Sequence, residues 1–436
     1  MDLTQIGLRA KAVTRLVWHP IVRKGWLHWV RFGLLLAAGS YLGHILSESP
    51  RFADIRYELY QKQVRLQHRG AVYPRHTVLL LLNDDDYWSA DFQARSPLKL
   101  EKLAVLIDKL NMAGANTVGV DVFLSSPLPE HPSYDFPDYA PGDDLFFAAV
   151  KRMCAAGRHV VLTTYASMVR KKGHGEEFSI YRQQPSIYDG RLPSLPCVTV
   201  GHDGFDEDMR KIPGLVKLED DKWLDSFSLA MVKIVDPVAY DRLAKEEDKG
   251  FRFAQYLTRD DFDPKSGRKF ILNGVGVRTM DDLALRQAVA DKIVIVGGAW
   301  SAFGYGLGDA IDLHDSPGGV QPGAMLHANY VEAELNEDST FTPISDTSAE
   351  VLEWSLALVL ALISASELPA GWKGWSVLLA FAFSTILTYV LMQNLGLFLD
   401  FLVPFLMVVG HTLTEKLLEL RHELHHARHK LKEHSQ

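Results

Sequence analysis

The sequence predicts an α/β extracytoplasmic domain with a mostly parallel or mixed central sheet, together with four transmembrane helices, one N-terminal and three C-terminal. Three observations predict this fold class. Short apolar strands alternate with amphipathic helices in the middle of the chain, uncharged apolar runs stand at both ends, and the charges divide between these regions. Alternation of this kind favours helices packed on a partly parallel sheet.

The distribution of charge indicates how the chain is oriented. Its 436 residues contain 46 Lys and Arg against 54 Asp and Glu, a net charge of −8. Residues 1–31 have a net charge of +5, residues 32–348 have −11 and residues 412–436 have +1. Because basic residues beside a span favour the cytoplasmic side, we expect both termini in the cytoplasm. The composition excludes a basic nucleic-acid-binding protein, a disordered chain and, with two Cys, a disulfide-framework toxin.

Four apolar runs are predicted to span a membrane, and they bound the other segments. The runs are Phe32–Leu46, Val351–Ser366, Trp375–Gln393 and Leu397–His411. A cytoplasmic basic arm at 1–31, a periplasmic domain at 47–348 and a cytoplasmic helical tail at 412–436 complete a multi-pass protein of the bacterial inner membrane. A cleaved signal peptide is the alternative for the first run. Its long, basic, Trp-containing leader favours an uncleaved anchor.

The strands and helices of the domain each have a pattern of their own. Apolar runs predict strands at His76–Leu82, Asn116–Leu124, His159–Thr164, Phe270–Asn273 and Lys292–Val296. Apolar residues spaced three and four apart predict helices at Pro97–Ala113, Asp143–Ala156 and Met280–Ala290. The Pro-, Gly- and Asp-rich stretches between Ser125 and Asp143 and between Met168 and Lys217 are predicted to be loops over one face of the sheet.

Several motifs resemble one family of sensory domains. They are GANTVGVDVFLSSP from residue 114, HDGFDEDMRKIP from 202, SFSLAMVKIV from 226, KIVIVGGAWSAFGYGLGDAIDLHDSP from 292 and PGAMLHANYVEAEL from 322. In this order they are similar to the cyclase/histidine-kinase-associated extracellular sensory domain, second type, of the CHASE family. The layout of one span, a domain and three closely spaced spans also resembles that family. The motifs cover about residues 50–345, and the layout covers 20–413.

The resemblance implies sensing but not a catalytic output. In that family the cytoplasmic end carries a nucleotide cyclase, a histidine kinase or a Ser/Thr kinase, whereas only about 25 residues follow the last predicted span here. We therefore expect no enzymatic activity and no cofactor. A separate cytoplasmic effector would read the signal, and the chain would form a homo-oligomer through the bundle and the tail helix, with no nucleic-acid partner.

The closing motif contains the first group of candidate ligand-binding residues. They are Asp309, Asp312, His314, Asp315 and His327. These side chains are of the kinds that bind divalent metals, with Asp312, His314 and His327 as possible ligands. They are equally suited to a hydrogen-bonded turn in which Asp side chains cap backbone N–H groups and His327 opens a helix. Both interpretations remain open from the sequence.

A second acidic group follows the first two predicted strands. Asp84, Asp85 and Asp86 come directly after the first strand, and Asp121 lies late in the second. Because carboxyl ends of strands line the ligand crevice in open α/β sheets, these acids are predicted to converge. Solvated loop acids with one buried helix cap are the alternative.

Other signals are less specific. Glu353 and Asp400 interrupt predicted spans, either as interfacial carboxylates or as a coupling point between bundle and domain. Cys154 and Cys197 form either a disulfide or ordinary packing. The glycines from Gly297 to Gly308 indicate tight turns, since no phosphate-binding motif accompanies them. The string HELHH, residues 422–426, formally matches a zinc-protease motif, but a 25-residue tail cannot build that site, and a solvated face is favoured.

Together these features predict an inner-membrane sensory receptor. The periplasmic domain would detect a ligand or a partner, and the bundle and tail would relay the change to the cytoplasmic effector. The alternative is a membrane scaffold subunit whose periplasmic domain is an assembly surface in a cell-envelope complex. The sequence identifies neither the ligand nor the effector.

Overall fold

The structure, a computed structural model, describes most of the central part of the chain. The described ranges are 73–95, 98–122, 124, 139–173, 176–183, 195–204, 214–246, 253–254, 257–265, 267–336 and 340–343, with single positions elsewhere. The chain divides into two compact units, one formed by Gln61–Thr342 and the other by Met1–Tyr60 with Pro343–Gln436. All of the described sheet and its helices discussed below belong to the first unit.

A parallel sheet of six strands forms the centre of this unit. Its strands are β1 (Thr77–Leu82), β2 (Thr117–Asp121), β3 (His159–Thr164), β6 (Val198–His202), β10 (Ile271–Leu272) and β11 (Ile293–Gly298). Their order across the sheet is β10-β1-β11-β2-β3-β6, and every pairing is parallel. The last strand in sequence, β11, therefore lies between the first two. Every residue of β1 and of β11 is buried, as expected for a parallel sheet covered on both faces.

The remaining elements are short. The other strands are β4 (Ala166–Gly173), β5 (Glu176–Gln183), β7 (Val216–Lys217), β8 (Trp223–Leu224), β9 (Phe253–Ala254), β12 (Leu313–Ser316), β13 (Gly319–Pro322), β14 (Thr340–Pro343) and β15 (Leu397–Phe398). The helices are α1 (Asp84–Tyr87), α2 (Leu100–Ala113), α3 (Tyr139–Ala155), α4 (Phe227–Val235), α5 (Pro237–Glu246), α6 (Arg259–Phe262), α7 (Gly274–Thr279), α8 (Asp282–Val289) and α9 (Gly323–Leu335). The pairs β4–β5, β7–β8, β12–β13 and β9–β14 are antiparallel.

Two apolar cores cover the two faces of the sheet. On the first face, α2, α3 and α8 pack over Val78, Leu80, Val118, Val294 and Val296. On the second face, α4 and α9 pack over Leu79, Leu81, Val161, Ile293 and Ile295. Successive strand residues therefore alternate between the two cores, which is the two-residue period of a strand. This burial supplies the main driving force for folding the unit.

Helix α9 is buried along nearly its whole length, and polar groups fix its C-terminal half. The Glu332 carboxylate accepts hydrogen bonds from the N–H groups of Arg75, His76 and Thr77 at 3.0, 2.7 and 2.6 Å. It also accepts one from Thr77 Oγ1 at 2.8 Å. Asn329 Oδ1 accepts a hydrogen bond from the Leu257 N–H at 2.6 Å. These bonds tie α9 to the start of β1 and to the segment before α6.

A disulfide joins Cys154 at the end of α3 to Cys197 just before β6. The two Cα atoms are 5.5 Å apart, within the usual range for such a bridge. The bond therefore links a helix on the first face to the edge strand of the sheet, and it decides between the two interpretations of these cysteines.

Most predicted elements are present with shifted ends, and two predictions are wrong. The stretch between Met168 and Lys217 is not only loop, because it contains the β4–β5 hairpin and the edge strand β6. Gly297 and Gly298 continue β11 and do not turn. In both cases pairing with a neighbouring strand outweighs the local glycine and polar composition. The predicted helix Met280–Ala290 is confirmed as α8, Asp282–Val289, and a separate helix, α7, precedes it.

The predictions about the membrane concern residues that the structure leaves almost entirely undescribed. The basic arm, the predicted spans, the tail, Glu353 and Asp400 lie outside the described residues apart from scattered positions. Among the described residues, no helix is both long and apolar enough to cross a membrane. Leu397–Phe398, the start of the predicted fourth span, form strand β15 and not helix.

Close packing between β11 and α9 gives the first testable prediction. A Cβ atom on Gly297 would overlap the Cβ of Ala324. We expect Gly297→Ala to lower the free energy of unfolding by about 1–3 kcal/mol, because the helix would have to move off the sheet. Thermal unfolding of the full-length chain measures this loss. The double variant Gly297→Ala/Ala324→Gly should recover part of it, and no recovery would contradict the proposed contact.

Candidate functional site

The carboxyl edge of the sheet gathers titratable side chains from four parts of the chain. Asp121 ends β2, and His202 and Asp203 lie at the end of β6. Asp312 and His314 flank the start of β12, and His327 lies in the second turn of α9. We call these six residues the Asp/His cluster. Their position agrees with the general rule that sites in open α/β sheets lie beyond the carboxyl ends of the strands.

A buried His–Asp contact lies at the centre of the cluster. His327 Nε2 is 3.8 Å from Asp121 Oδ1, and the two side chains are 1% and 12% exposed. Burial, with smaller contributions from His202 and His314, lowers the pKa of His327 to about 3. Burial, followed by the negative charges of Asp312 and Asp203, raises the pKa of Asp121 well above its usual range. Low local polarity thus favours the neutral form of both groups.

Asp312 connects the cluster to the start of α9. Its Oδ2 accepts a hydrogen bond from the Gly323 N–H at 3.1 Å, and its Oδ1 lies 2.9 Å from His314 Nε2. Asp312 has a φ of +54°, a left-handed conformation that Asp tolerates better than most residues. A Cβ atom at position 323 would overlap the Asp312 carboxylate. Only glycine therefore allows this acid to approach the positive end of the helix.

His202 and Asp203 join the cluster from the edge strand. Burial, with a further contribution from the charge of Asp312, raises the pKa of Asp203 to about 6. His202 is buried, its Nε2 lies 2.8 Å from the Gly214 carbonyl oxygen, and burial lowers its pKa. Neither residue is among the candidates predicted from the sequence. Their place in the HDG motif at 202–204, directly after a short run of β-branched residues, is the signal that could have found them.

The acids after β1 have a different role. Asp84 accepts hydrogen bonds from Ser301 N–H at 2.6 Å, Ser301 Oγ at 2.7 Å and Gly306 N–H at 2.8 Å. Burial opposes ionisation of Asp84, but these bonds outweigh it and lower its pKa. Asp85 accepts a hydrogen bond from the exposed Tyr305 hydroxyl at 2.6 Å. These two acids therefore fasten the segment that follows β11.

Asp86 is the buried acid of this group. It is fully buried, accepts a hydrogen bond from Gly274 N–H at 2.9 Å and lies 3.6 Å from Arg278 Nη2. Burial raises its pKa in spite of these partners. Among the described residues, no hydrogen bond or ion pair joins Asp84, Asp85 or Asp86 to Asp121. The predicted convergence of all four acids is thus replaced by two groups, because β11 separates β1 from β2.

The metal site that the closing motif left possible is not seen among the described residues. Within the described ranges, no group of three His, Cys, Asp or Glu side chains is arranged to hold a metal ion. Asp309 is exposed, and its carbonyl oxygen accepts a hydrogen bond from Ala302 N–H at 3.0 Å. The structure thus brings Asp121, Asp312, His314 and His327 together and places Asp84, Asp85 and Asp309 elsewhere along the same edge.

A cleft of about 400 Å³ opens at this edge, between the ends of β1 and β10, the start of α7 and the β12–β13 hairpin. Leu81 and Met325 line it from the second core, and Leu313 and Val320 line it from the hairpin. Its volume is within the range of small-molecule sites. The hairpin therefore separates two features of the edge, the cleft and the Asp/His cluster.

Comparison with known families gives the chain its family. The family model of the CHASE2 domain matches residues 33–365, which is most of the 436 residues. This chain belongs to the CHASE2 domain family. CHASE2 domains are extracellular sensory domains. Neither the curated proteins nor the solved structures contain a match to this chain. The CHASE2 match confirms the resemblance drawn from the motifs at 114, 202, 292 and 322.

The hydrogen bonds of Asp84 give the second prediction. We expect Asp84→Asn to release the segment after β11 and to lower the free energy of unfolding by about 1 kcal/mol, because one part-buried and one exposed N–H group lose a charged acceptor. Hydrogen exchange of the Ser301 and Gly306 amides measures the release directly. Asp282→Asn is the matched control, since Asp282 is an 88% exposed acid of α8, on the first face of the sheet. Equal exchange in the wild type and the Asp84 variant would contradict this role.

The raised pKa of Asp203 gives the third prediction. Its folded pKa of about 6 lies above the ordinary value of 3.8, so the folded CHASE2 domain binds this proton more tightly than the unfolded chain. Its contribution to stability is therefore full below the ordinary pKa and is lost as the pH rises through about 6. We expect Asp203→Asn to be more stable than the wild type at pH 7.5 by about 1 kcal/mol, with the difference vanishing near pH 4.

Thermal unfolding of both proteins across this pH range checks the sign. Asp315→Asn is the control, because Asp315 is an exposed acid of the β12–β13 hairpin. A stability difference that grows as the pH falls would show that the Asp203 carboxylate is favoured, and not penalised, in its charged form.

Proposed function

We propose that this chain is a sensory receptor of the bacterial inner membrane. Its CHASE2 domain lies in the periplasm, both termini lie in the cytoplasm, and the predicted spans relay the state of the domain to the tail at 412–436. A separate cytoplasmic effector reads that state. The chain itself is not an enzyme and needs no cofactor, and it acts as a homo-oligomer held by the bundle and the tail helix.

The match to the CHASE2 family over residues 33–365 carries this proposal. Two further observations support it. The division of charge, with bases at the ends and acids in the domain, is the pattern expected when the domain is outside the cytoplasm. The Cys154–Cys197 disulfide is of the kind that persists in an oxidising compartment such as the periplasm.

The described edge of the sheet also suits a sensory role. It combines a cleft with a cluster of groups whose pKa values are displaced by burial, and such groups concentrate at functional sites. The β12–β13 hairpin contacts both features and leads directly into α9. In the sequence, fifteen residues (336–350) separate the end of α9 from the predicted second span. A change in the hairpin therefore has a short route along the chain to the membrane.

A specific surface favours a second candidate, the envelope scaffold. Phe303, Tyr305 and Leu307 are large side chains in the segment after β11, and they are 81%, 64% and 60% exposed. Exposed apolar side chains grouped in this way mark protein-interaction surfaces. In a scaffold this surface would bind other envelope proteins, and the tail would have no effector.

Affinity purification of the full-length chain from native membranes in mild detergent separates the two candidates and gives the fourth prediction. Three forms are compared: the wild type, a form lacking 412–436, and Phe303→Ser/Leu307→Ser. The receptor predicts a cytoplasmic protein that copurifies with the wild type and with the surface variant and is lost with the tail. The scaffold predicts periplasmic or membrane partners that are lost from the surface variant and retained without the tail.

The topology is tested in the same strains. A cytoplasm-specific fluorescent reporter fused after Gln436 should be active, and a periplasm-specific phosphatase at the same position should be inactive. Phosphatase activity there would overturn the four-span arrangement and the relay with it.

A further inference from the structure

The cleft at the carboxyl edge of the sheet has a chemical character that the Asp/His cluster lacks. Fifteen residues line the cleft, from β1, β10, α6, α7, α9, the hairpin and the segments between them. None of them is Asp or Glu, although the chain contains 54 acids. The charged side chains in the lining are two bases, Arg259 and Lys269. The charge of the residues that line the cleft is therefore positive, whereas the domain around it has a negative net charge.

The interior of the cleft is apolar. Leu81 and Met325 are buried members of the second core, so the floor of the cleft is continuous with that core. Ile271 and Leu272 of β10 form one wall, and Leu313 and Val320 of the hairpin form the opposite wall. Apolar walls gain free energy when they are removed from water by an apolar occupant. This chemistry selects a ligand that has an apolar body.

The two bases add a requirement for negative charge. Arg259 begins α6 and is exposed, so its guanidinium keeps the planar donor arrangement that suits a carboxylate or a phosphate. Lys269 Nζ lies 3.2 Å from Asp263 Oδ1, and these side chains are 66% and 42% exposed. An ion pair exposed to this degree contributes little, and the ammonium retains further donors for a ligand.

We propose that the cleft binds a small organic anion, a carboxylate or a phosphate monoester that carries an apolar body. The anionic group contacts Arg259 and Lys269, and the apolar body lies between β10 and the hairpin. This inference names the ligand class for the sensory site and to that extent rests on the proposed function. The chemistry of binding depends on the described residues of the cleft alone.

The proposed contacts also explain how binding would affect the rest of the edge. Leu313 and Val320 belong to the hairpin that follows Asp312, and Met325 belongs to the first turn of α9. An occupant that contacts all three favours one arrangement of hairpin and helix over others. A ligand shifts an equilibrium only through such a difference in affinity.

Binding to the purified full-length chain tests the proposal and is the fifth prediction. Isothermal titration uses four anions, namely 3-phenylpropionate, octanoate, indole-3-acetate and phenyl phosphate, with neutral 3-phenylpropionamide and inorganic phosphate as comparisons. We expect at least one organic anion to bind the wild type, with the amide and inorganic phosphate binding about tenfold more weakly or not at all. Arg259→Gln and Lys269→Gln should each weaken binding of that anion about tenfold, because each removes a charged hydrogen-bond donor.

Two further variants keep the test independent of folding. Lys265→Gln removes an exposed base that does not line the cleft, and it should bind like the wild type. Val320→Glu places an acid in the cleft at a position that is 65% exposed, and it should abolish binding without loss of thermal stability. The proposal is overturned if no organic anion binds at about 1 mM, if the amide binds as well as the acid, or if the Arg259 and Lys269 variants bind unchanged.

Failure of this inference is distinguishable from failure of the proposed function. A chain that binds none of these anions but still retains a tail-dependent cytoplasmic partner would keep its role as a receptor and would need a different ligand class. A chain that binds the anion through Arg259 and Lys269 but has no tail-dependent partner would keep the site and lose the relay.

Discussion

The four hydrogen bonds at the Glu332 carboxylate fix the helix on which the rest of the sheet edge depends. Burying a carboxylate costs free energy unless its lone pairs are satisfied, and Arg75, His76 and Thr77, which lead into β1, satisfy them with three N–H groups and one hydroxyl. Because β1 is hydrogen-bonded to β11, and α9 packs on both, these bonds set the position of the helix along the sheet. The second turn of α9 then places His327 at Asp121.

The other end of α9 is held by an acid with much weaker support. Asp312 Oδ2 accepts a hydrogen bond from the Gly323 N–H at 3.1 Å, and its Oδ1 lies 2.9 Å from His314 Nε2. The Asp312 side chain is 44% exposed. Burial, followed by the charge of Asp312, raises the pKa values of Asp121 and Asp203, and burial, followed by His202 and His314, lowers that of His327. The C-terminal half of the helix is thus firmly anchored. Its N-terminal end is held by Asp312, which lies among the titratable side chains of the Asp/His cluster.

The sequence predicts the interior of this fold better than its edges. Strands β1, β3 and β11 are continuous apolar runs that are buried on both faces, so composition alone reveals them. Strand β6 was not predicted because Val198–His202 is short and is surrounded by Pro, Gly and Asp. It is stabilised by contacts that the local sequence does not reveal, namely pairing with β3 and the Cys197 disulfide. Its omission also hid His202 and Asp203.

The candidate site was predicted in part for a similar reason. Asp121, Asp312, His314 and His327 were recognisable because their residue types fit a polar site and their motif resembles the closing pattern of the family. The role of Asp84 depends on Ser301 and Gly306, more than 200 residues away in the chain, and no local pattern encodes that contact. Long-range partners determine whether an acid at a strand end joins the Asp/His cluster or holds a loop. In this sheet the outcome follows from the position of β11 between β1 and β2.

The same insertion places the loop held by Asp84, the cleft-lining hairpin and the start of α9 on one short segment of the chain. Since β11 is central, the chain that leaves it must cross the carboxyl edge before it returns along the second face as α9. On the way it forms the loop held by Asp84, the hairpin that lines the cleft, and the Asp312 contact at the start of the helix. An occupant of the cleft, as proposed above, contacts side chains within residues 313–325. Because the C-terminal half of α9 is anchored, any movement caused by this contact is expected at the N-terminal end of the helix, nearest the Asp/His cluster.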